Sequence, residues 1–76
     1  MTNAETVYVT LLDEGVDVWR PVLARRLEGN AFAIIDQPYD RDDERWQFEP
    51  GARVVCEERV LEGTPVTVAI ARAQPS

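Results

Sequence analysis

Short runs in which apolar and polar residues alternate strictly, with no stripe of helical period anywhere, leave this chain few options. In Thr6-Val-Tyr-Val-Thr-Leu11, Val7, Val9 and Leu11 fall on one side and Thr6, Tyr8 and Thr10 on the other. Successive side chains of an extended strand point to opposite faces, so the pattern describes a half-buried β-strand. Asp13-Glu14-Gly15 then supplies turn chemistry. A second extended segment, Val16 to Leu27, sets Val18, Val22 and Ala24 on one parity and Trp19, Leu23 and Leu27 on the other. Pro21 interrupts it, and a residue without an N–H belongs at a sheet edge or a bulge. The tight turn Glu28-Gly29-Asn30 leads to a third strand, Ala31 to Asp36. A fourth, Arg53 to Leu61, enters through Pro50-Gly51. After Glu62-Gly63, a fifth runs from Thr64 to Arg72, with Val66, Val68 and Ile70 on one face.

Five strands joined by short turns read as an all-β, mostly antiparallel meander. A flat sheet of this size exposes one apolar face, whereas curling it into a small barrel buries that face and removes most of the edges. The two candidate architectures are an SH3-like and an OB-type barrel. The OB arrangement wants a helix between the third and fourth strands. Here that gap holds Pro38 and Pro50, so the expectation is a five-stranded SH3-like barrel, with at most a short helical turn from Asp42 to Trp46. The 76 residues make a single domain, with an ordered core from about 6 to 72 and a fraying ARAQPS tail. A chain this short buries only about 60% of its unfolded surface, so its stability margin is thin.

Composition matters chiefly for what it excludes. Histidine and lysine are absent, and all eight basic residues are arginine. Without His there is no ordinary serine or cysteine triad and the commonest transition-metal ligand is missing. Without Lys there is neither a Schiff base nor a phosphate-loop lysine. The one serine, Ser76, is the last residue. An enzyme is not expected, nor is a cofactor. Cys56 is the single cysteine, so no intrachain disulfide forms. Its place in the alternating run VVCEERV marks it as a small buried hydrophobe. With no secretory signal at the N-terminus and no apolar run long enough for a membrane span, the expected location is cytoplasmic.

Four segments carry a resemblance: Asp17-Val-Trp-Arg-Pro-Val22, Asp36-Gln-Pro-Tyr-Asp40, Asp43-Glu-Arg-Trp-Gln-Phe48 and Pro50-Gly-Ala-Arg-Val-Val-Cys56. Together they resemble a pattern in small, uncharacterised bacterial proteins, VWRPV…PYD…DExWxFxPGxxVxC, covering roughly residues 7 to 58. The resemblance implies no catalytic or binding residue. The PG-x-x-V turn leading into a strand is also similar to SH3-like modules of the KOW and Tudor type.

The segment with most chemistry is the long connection Gln37-Pro-Tyr-Asp-Arg-Asp-Asp-Glu-Arg-Trp-Gln-Phe-Glu-Pro-Gly51. Asp40, Asp42 and Glu44 alternate like the first calcium ligands of an EF-hand. Arg45, however, stands where that loop needs its Gly, and Gly51 where it needs its bidentate Glu, so no metal site is expected. Trp46 and Phe48 share one side of an extended segment, where Phe48 plugs the barrel and Trp46 closes its end or packs over Trp19. The functional alternative is an aromatic cage of Trp19, Tyr39 and Trp46. Arg20, Arg25 and Arg26 form the one basic concentration and are candidate phosphate contacts, although the net charge of −6 opposes nucleic-acid binding. Arg20 can equally pair with Asp17, Asp36 or an acid of the loop. The favoured reading is a non-enzymatic interaction module that binds a protein partner through Trp19, Tyr39, Asp40, Asp42, Asp43 and Trp46. The alternatives are a nucleic-acid accessory using the arginines and an acidic mimic of nucleic acid. Val60, Leu61 and Leu23 offer edges for a homodimer.

Overall fold

The computed structural model describes residues 4–12 and 18–73. The expected turn at Asp13-Glu14-Gly15, the start of the second segment at Val16 and Asp17, and the end of the tail with Ser76 lie outside the described residues. Six strands form: β1 (Ala4–Leu12), β2 (Trp19–Arg26), β3 (Ala31–Ile34), β4 (Arg45–Trp46), β5 (Arg53–Leu61) and β6 (Thr64–Arg72). The described residues contain no helix, and no helix long and apolar enough to cross a membrane occurs among them.

β1, β2, β3, β5 and β6 close a ring in which each strand is bonded to two others. A five-strand meander reverses direction at every step, so its first and last strands run the same way. The seam is accordingly parallel, with Tyr8 facing Val68, while the other ring pairs are antiparallel. The two-residue β4 stands outside the ring, pairing Trp46 with Leu11 at the end of β1.

Period two decides what faces inward. Val7, Val9 and Leu11 of β1 meet Val22 and Ala24 of β2, Phe32 and Ile34 of β3, Val54 and Cys56 of β5, and Ala69 of β6 in one buried cluster. Pro21 produces no bulge: the β1–β2 register is continuous from Ala4↔Arg25 to Thr10↔Trp19. It lies instead on an edge, because β3 pairs only with Ala24, Arg25 and Arg26. The bulge is in β6. Val55 pairs with Ala71 and Cys56 with Ala69, leaving Ile70 unmatched. An extra residue breaks the alternation, so Val66, Val68 and Ile70 do not share one face along the strand. Ala69 takes the inward position. Val68 lies outside the core cluster yet is only 2% exposed.

Two turns follow from their residues. Glu49-Pro50-Gly51-Ala52 closes with the Ala52 N–H on the Glu49 carbonyl at 3.0 Å, and Gly51 has φ 93°. Proline then glycine at the centre is the signature of a type II turn, whose third residue needs positive φ. The two-residue β5–β6 turn has positive φ at both Glu62 (51°) and Gly63 (81°), as a type I′ hairpin turn demands. Glycine adopts this without strain, whereas Glu62 holds an unfavourable left-handed conformation.

Candidate functional site

The connection from Ile35 to Ala52 folds back over one end of the ring. Trp46 and Phe48, two apart in an extended segment, both enter the core and are 4% and 6% exposed. Burying two rings of this size gives the loop its anchor. Tyr39 packs on Trp46 with ring centroids 4.5 Å apart. Its hydroxyl accepts the Trp46 backbone N–H and donates to Glu49 Oε2, both at 3.0 Å. The Trp46 indole N–H donates to Glu44 Oε1 at 3.0 Å. Arg41 pairs with Glu49 at 2.9 Å and lies 6.0 Å over the Tyr39 ring.

At the loop tip Asp40 organises the backbone. Its carboxylate accepts the Asp42 N–H at 2.9 Å, and its carbonyl accepts the N–H groups of Asp43 and Glu44 at 3.1 and 3.0 Å. A short aspartate side chain competes well for nearby N–H groups, which makes it a turn initiator. The expected helical turn from Asp42 to Trp46 is replaced by this single turn begun at Asp40. Arg45 and Trp46 are extended, because their pairing with β1 overrides the local charge pattern.

These elements bound a cleft of about 540 Å³ lined by Arg20, Pro38, Tyr39, Asp40, Asp43, Glu44 and Trp46. Arg20 lies 3.4 Å from Glu44, so it pairs with an acid of the loop. Among the described residues Asp40, Asp42 and Asp43 make no ion pair, and all three are exposed at the tip. Among the described residues no group of three or more acids or cysteines is arranged to hold a metal ion.

Five of the six candidate binding residues, Tyr39, Asp40, Asp42, Asp43 and Trp46, lie together on this loop. Trp19 does not join them. Its parity is opposite to that of Val22 and Ala24, so it sits on the outer face of the ring. There it lines a separate cleft of about 620 Å³ with Tyr8, Val18, Val60, Leu61, Glu62, Thr64 and Val66.

The three arginines are also separated. Arg20 and Arg26 stand at opposite ends of β2, about 20 Å apart along the strand, and Arg25 is on the other face. Arg26 caps the far end of the core: its guanidinium lies 4.6 Å from the Phe32 ring centroid, bonds Glu5 at 3.1 Å and donates to the Gly29 carbonyl at 2.8 Å. Beneath it Cys56 is buried, and desolvation pushes its thiol up to about 11 against a smaller downward pull from Arg26.

Sequence reasoning missed Gln37. Its side chain accepts the Leu23 N–H at 3.0 Å and donates to the carbonyls of Leu23 and Ile35 at 2.9 and 2.8 Å. The amide thus completes the ladder of β2 where β3 has ended. A polar residue directly before Pro38, at the end of a strand, was the available signal. No family model, curated protein or solved structure matches the chain.

Proposed function

We propose that this is a non-enzymatic, cytoplasmic interaction module built as an SH3-like barrel, which binds a basic segment of a partner protein through its acidic loop. The observation that carries the reading is the exposure of Asp40, Asp42 and Asp43, outside the ion pairs of the described residues, on a tip held by Tyr39, Trp46 and Glu49. A rigid tip presents its carboxylates without first having to order them, which lowers the cost of association. Electrostatic complementarity then favours a cationic partner and raises the rate of encounter. Trp46 supports the loop from within, and Tyr39 supplies the apolar wall beside the acids.

The nucleic-acid reading is weaker on geometry. Arg20 and Arg26 are paired with Glu44 and Glu5 and stand about 20 Å apart along β2, whereas phosphate contacts need converging, available cations. The acidic-mimic reading is diluted by the same pairing of acids with arginines.

The test is affinity capture with wild-type protein beside an Asp42→Asn/Asp43→Asn double variant, which removes charge from exposed positions without touching the core. Wild type should retain a partner that the double variant loses, and added salt should weaken retention. Capture of the same partners by both proteins, or retention of RNA or DNA at low salt, would refute the proposal.

A further inference from the structure

The other cleft has a different chemistry. The first nine-residue strand of the β5–β6 hairpin pairs with β3 only over Arg53 to Val55, and β6 meets β1 only at Val68. Residues 58–67 therefore pair only with each other among the described residues, and they form an arm beside the outer face of the ring. The arm carries Val60, which at 69% exposure is the most exposed large hydrophobic among the described residues. Leu61 and Val66 flank it, and Tyr8, Val18 and Trp19 form the opposite wall.

Two independent features make this more than scattered surface apolarity. Glu62 is the one charged residue in the lining, and its backbone takes a positive φ of 51° that asparagine or glycine adopts far more readily. Trp19 also lines the adjoining groove with Arg59, Val68 and Ile70, so the two clefts share its ring along the outer face. A cleft that sets exposed apolar side chains beside Glu62, with the nearby Arg59 already paired to Glu57, complements an apolar segment that bears one cation.

We infer that this cleft takes an extended apolar peptide segment of a partner protein, with a neighbouring arginine or lysine of that segment pairing with Glu62. The surface is distinct from the acidic loop and does not depend on it. Val60 and Trp19 supply the apolar contact, while Glu62 sets the charge preference and the direction in which the segment lies.

The experiment is selection from a random peptide library on immobilised full-length protein, followed by affinity measurements with a synthesised winner. Enriched peptides should combine a short apolar run with a basic residue. Val60→Ser alters only an exposed residue and should weaken binding about tenfold or more, as loss of a central apolar contact does. Glu62→Gln should weaken it roughly threefold to fivefold, the effect of a partly exposed ion pair. Selection on Glu62→Arg should switch the preferred charge to acidic, and Asp42→Asn/Asp43→Asn should leave the winner's affinity unchanged. The inference is overturned if no such peptides are enriched, or if the winners ignore Val60→Ser and Glu62→Gln. Loss of binding on Asp42→Asn/Asp43→Asn would assign the winners to the acidic loop instead. Concentration-dependent self-association abolished by Val60→Ser would show that a second copy, not a peptide, covers the cleft.

Discussion

Cys56 shows how position, not residue type, determines chemistry here. A free thiol ordinarily ionises near 9.0, but burial moves this one to about 11, so at neutral pH it is a protonated core residue. The consequence for stability has a definite sign. Below pH 9 both folded and unfolded chains hold the proton. Between about 9 and 11 the unfolded chain releases it first, so this contribution to stability is progressively lost as pH rises. The loss amounts to roughly 2–3 kcal/mol across the window. Urea denaturation of wild type and Cys56→Ala at about pH 8 and pH 10 isolates it. The variant should be less stable at the lower pH, and the gap between the two proteins should narrow at the higher one. A gap independent of pH would mean that the thiol is not the group responsible.

At the level of elements, the ring leaves edges open, and the two with prolines are notable. Across residues 19–23, β2 has no strand partner among the described residues on the side away from β1, and Pro21 sits in that stretch. Across residues 64–67, β6 pairs only with β5 among the described residues, and Pro65 sits in that one. A proline offers no N–H to a passing strand, so both edges are poor templates for edge-to-edge association. Gln37 closes the last position of that β2 edge, Leu23, with its own amide. These features count against the edge-paired homodimer suggested by Val60, Leu61 and Leu23. Replacing both prolines (Pro21→Thr with Pro65→Thr) should raise self-association in sedimentation at low micromolar concentration, relative to wild type. An unchanged sedimentation coefficient would indicate that the prolines serve only local geometry.

For the molecule as a whole, size sets the tolerance. At about 0.05–0.15 kcal/mol per residue, a chain of this length has a total stability of roughly 4–11 kcal/mol. Phe32 is among the largest fully buried side chains, lies under the Arg26 guanidinium and joins β2 to β5 through its pairings. Phe32→Ala should cost about 3–5 kcal/mol, which is a large share of that total and brings the fold close to its limit. Thermal denaturation followed by near-ultraviolet circular dichroism measures it. A loss under about 1 kcal/mol would mean that the core is far less tightly packed around this ring than its burial indicates. Charge is distributed on the same scale: Glu5, Glu44, Glu49 and Glu57 are compensated by arginines, while the loop tip retains much of the excess negative charge.

Alternation alone grouped Val7, Val9 and Leu11 on one face, set Val22 with Ala24 on one parity and marked Cys56 as buried, because a strand's side chains obey period two whatever surrounds it. It also located the fourth and fifth expected strands at the bounds that β5 and β6 occupy, and the Pro50-Gly51 and Glu62-Gly63 turns, whose φ preferences are local. Only the tertiary structure decided the rest. The bulge at Ile70 arises where β6 must bend between two neighbours. Trp19 faces outward while Trp46 faces inward because the parity of each strand is set by its register with β1. The separation of Arg20 from Arg26, and the gathering of Tyr39 to Glu49 into a single hub, depend on contacts between residues far apart in the chain, which no local pattern records.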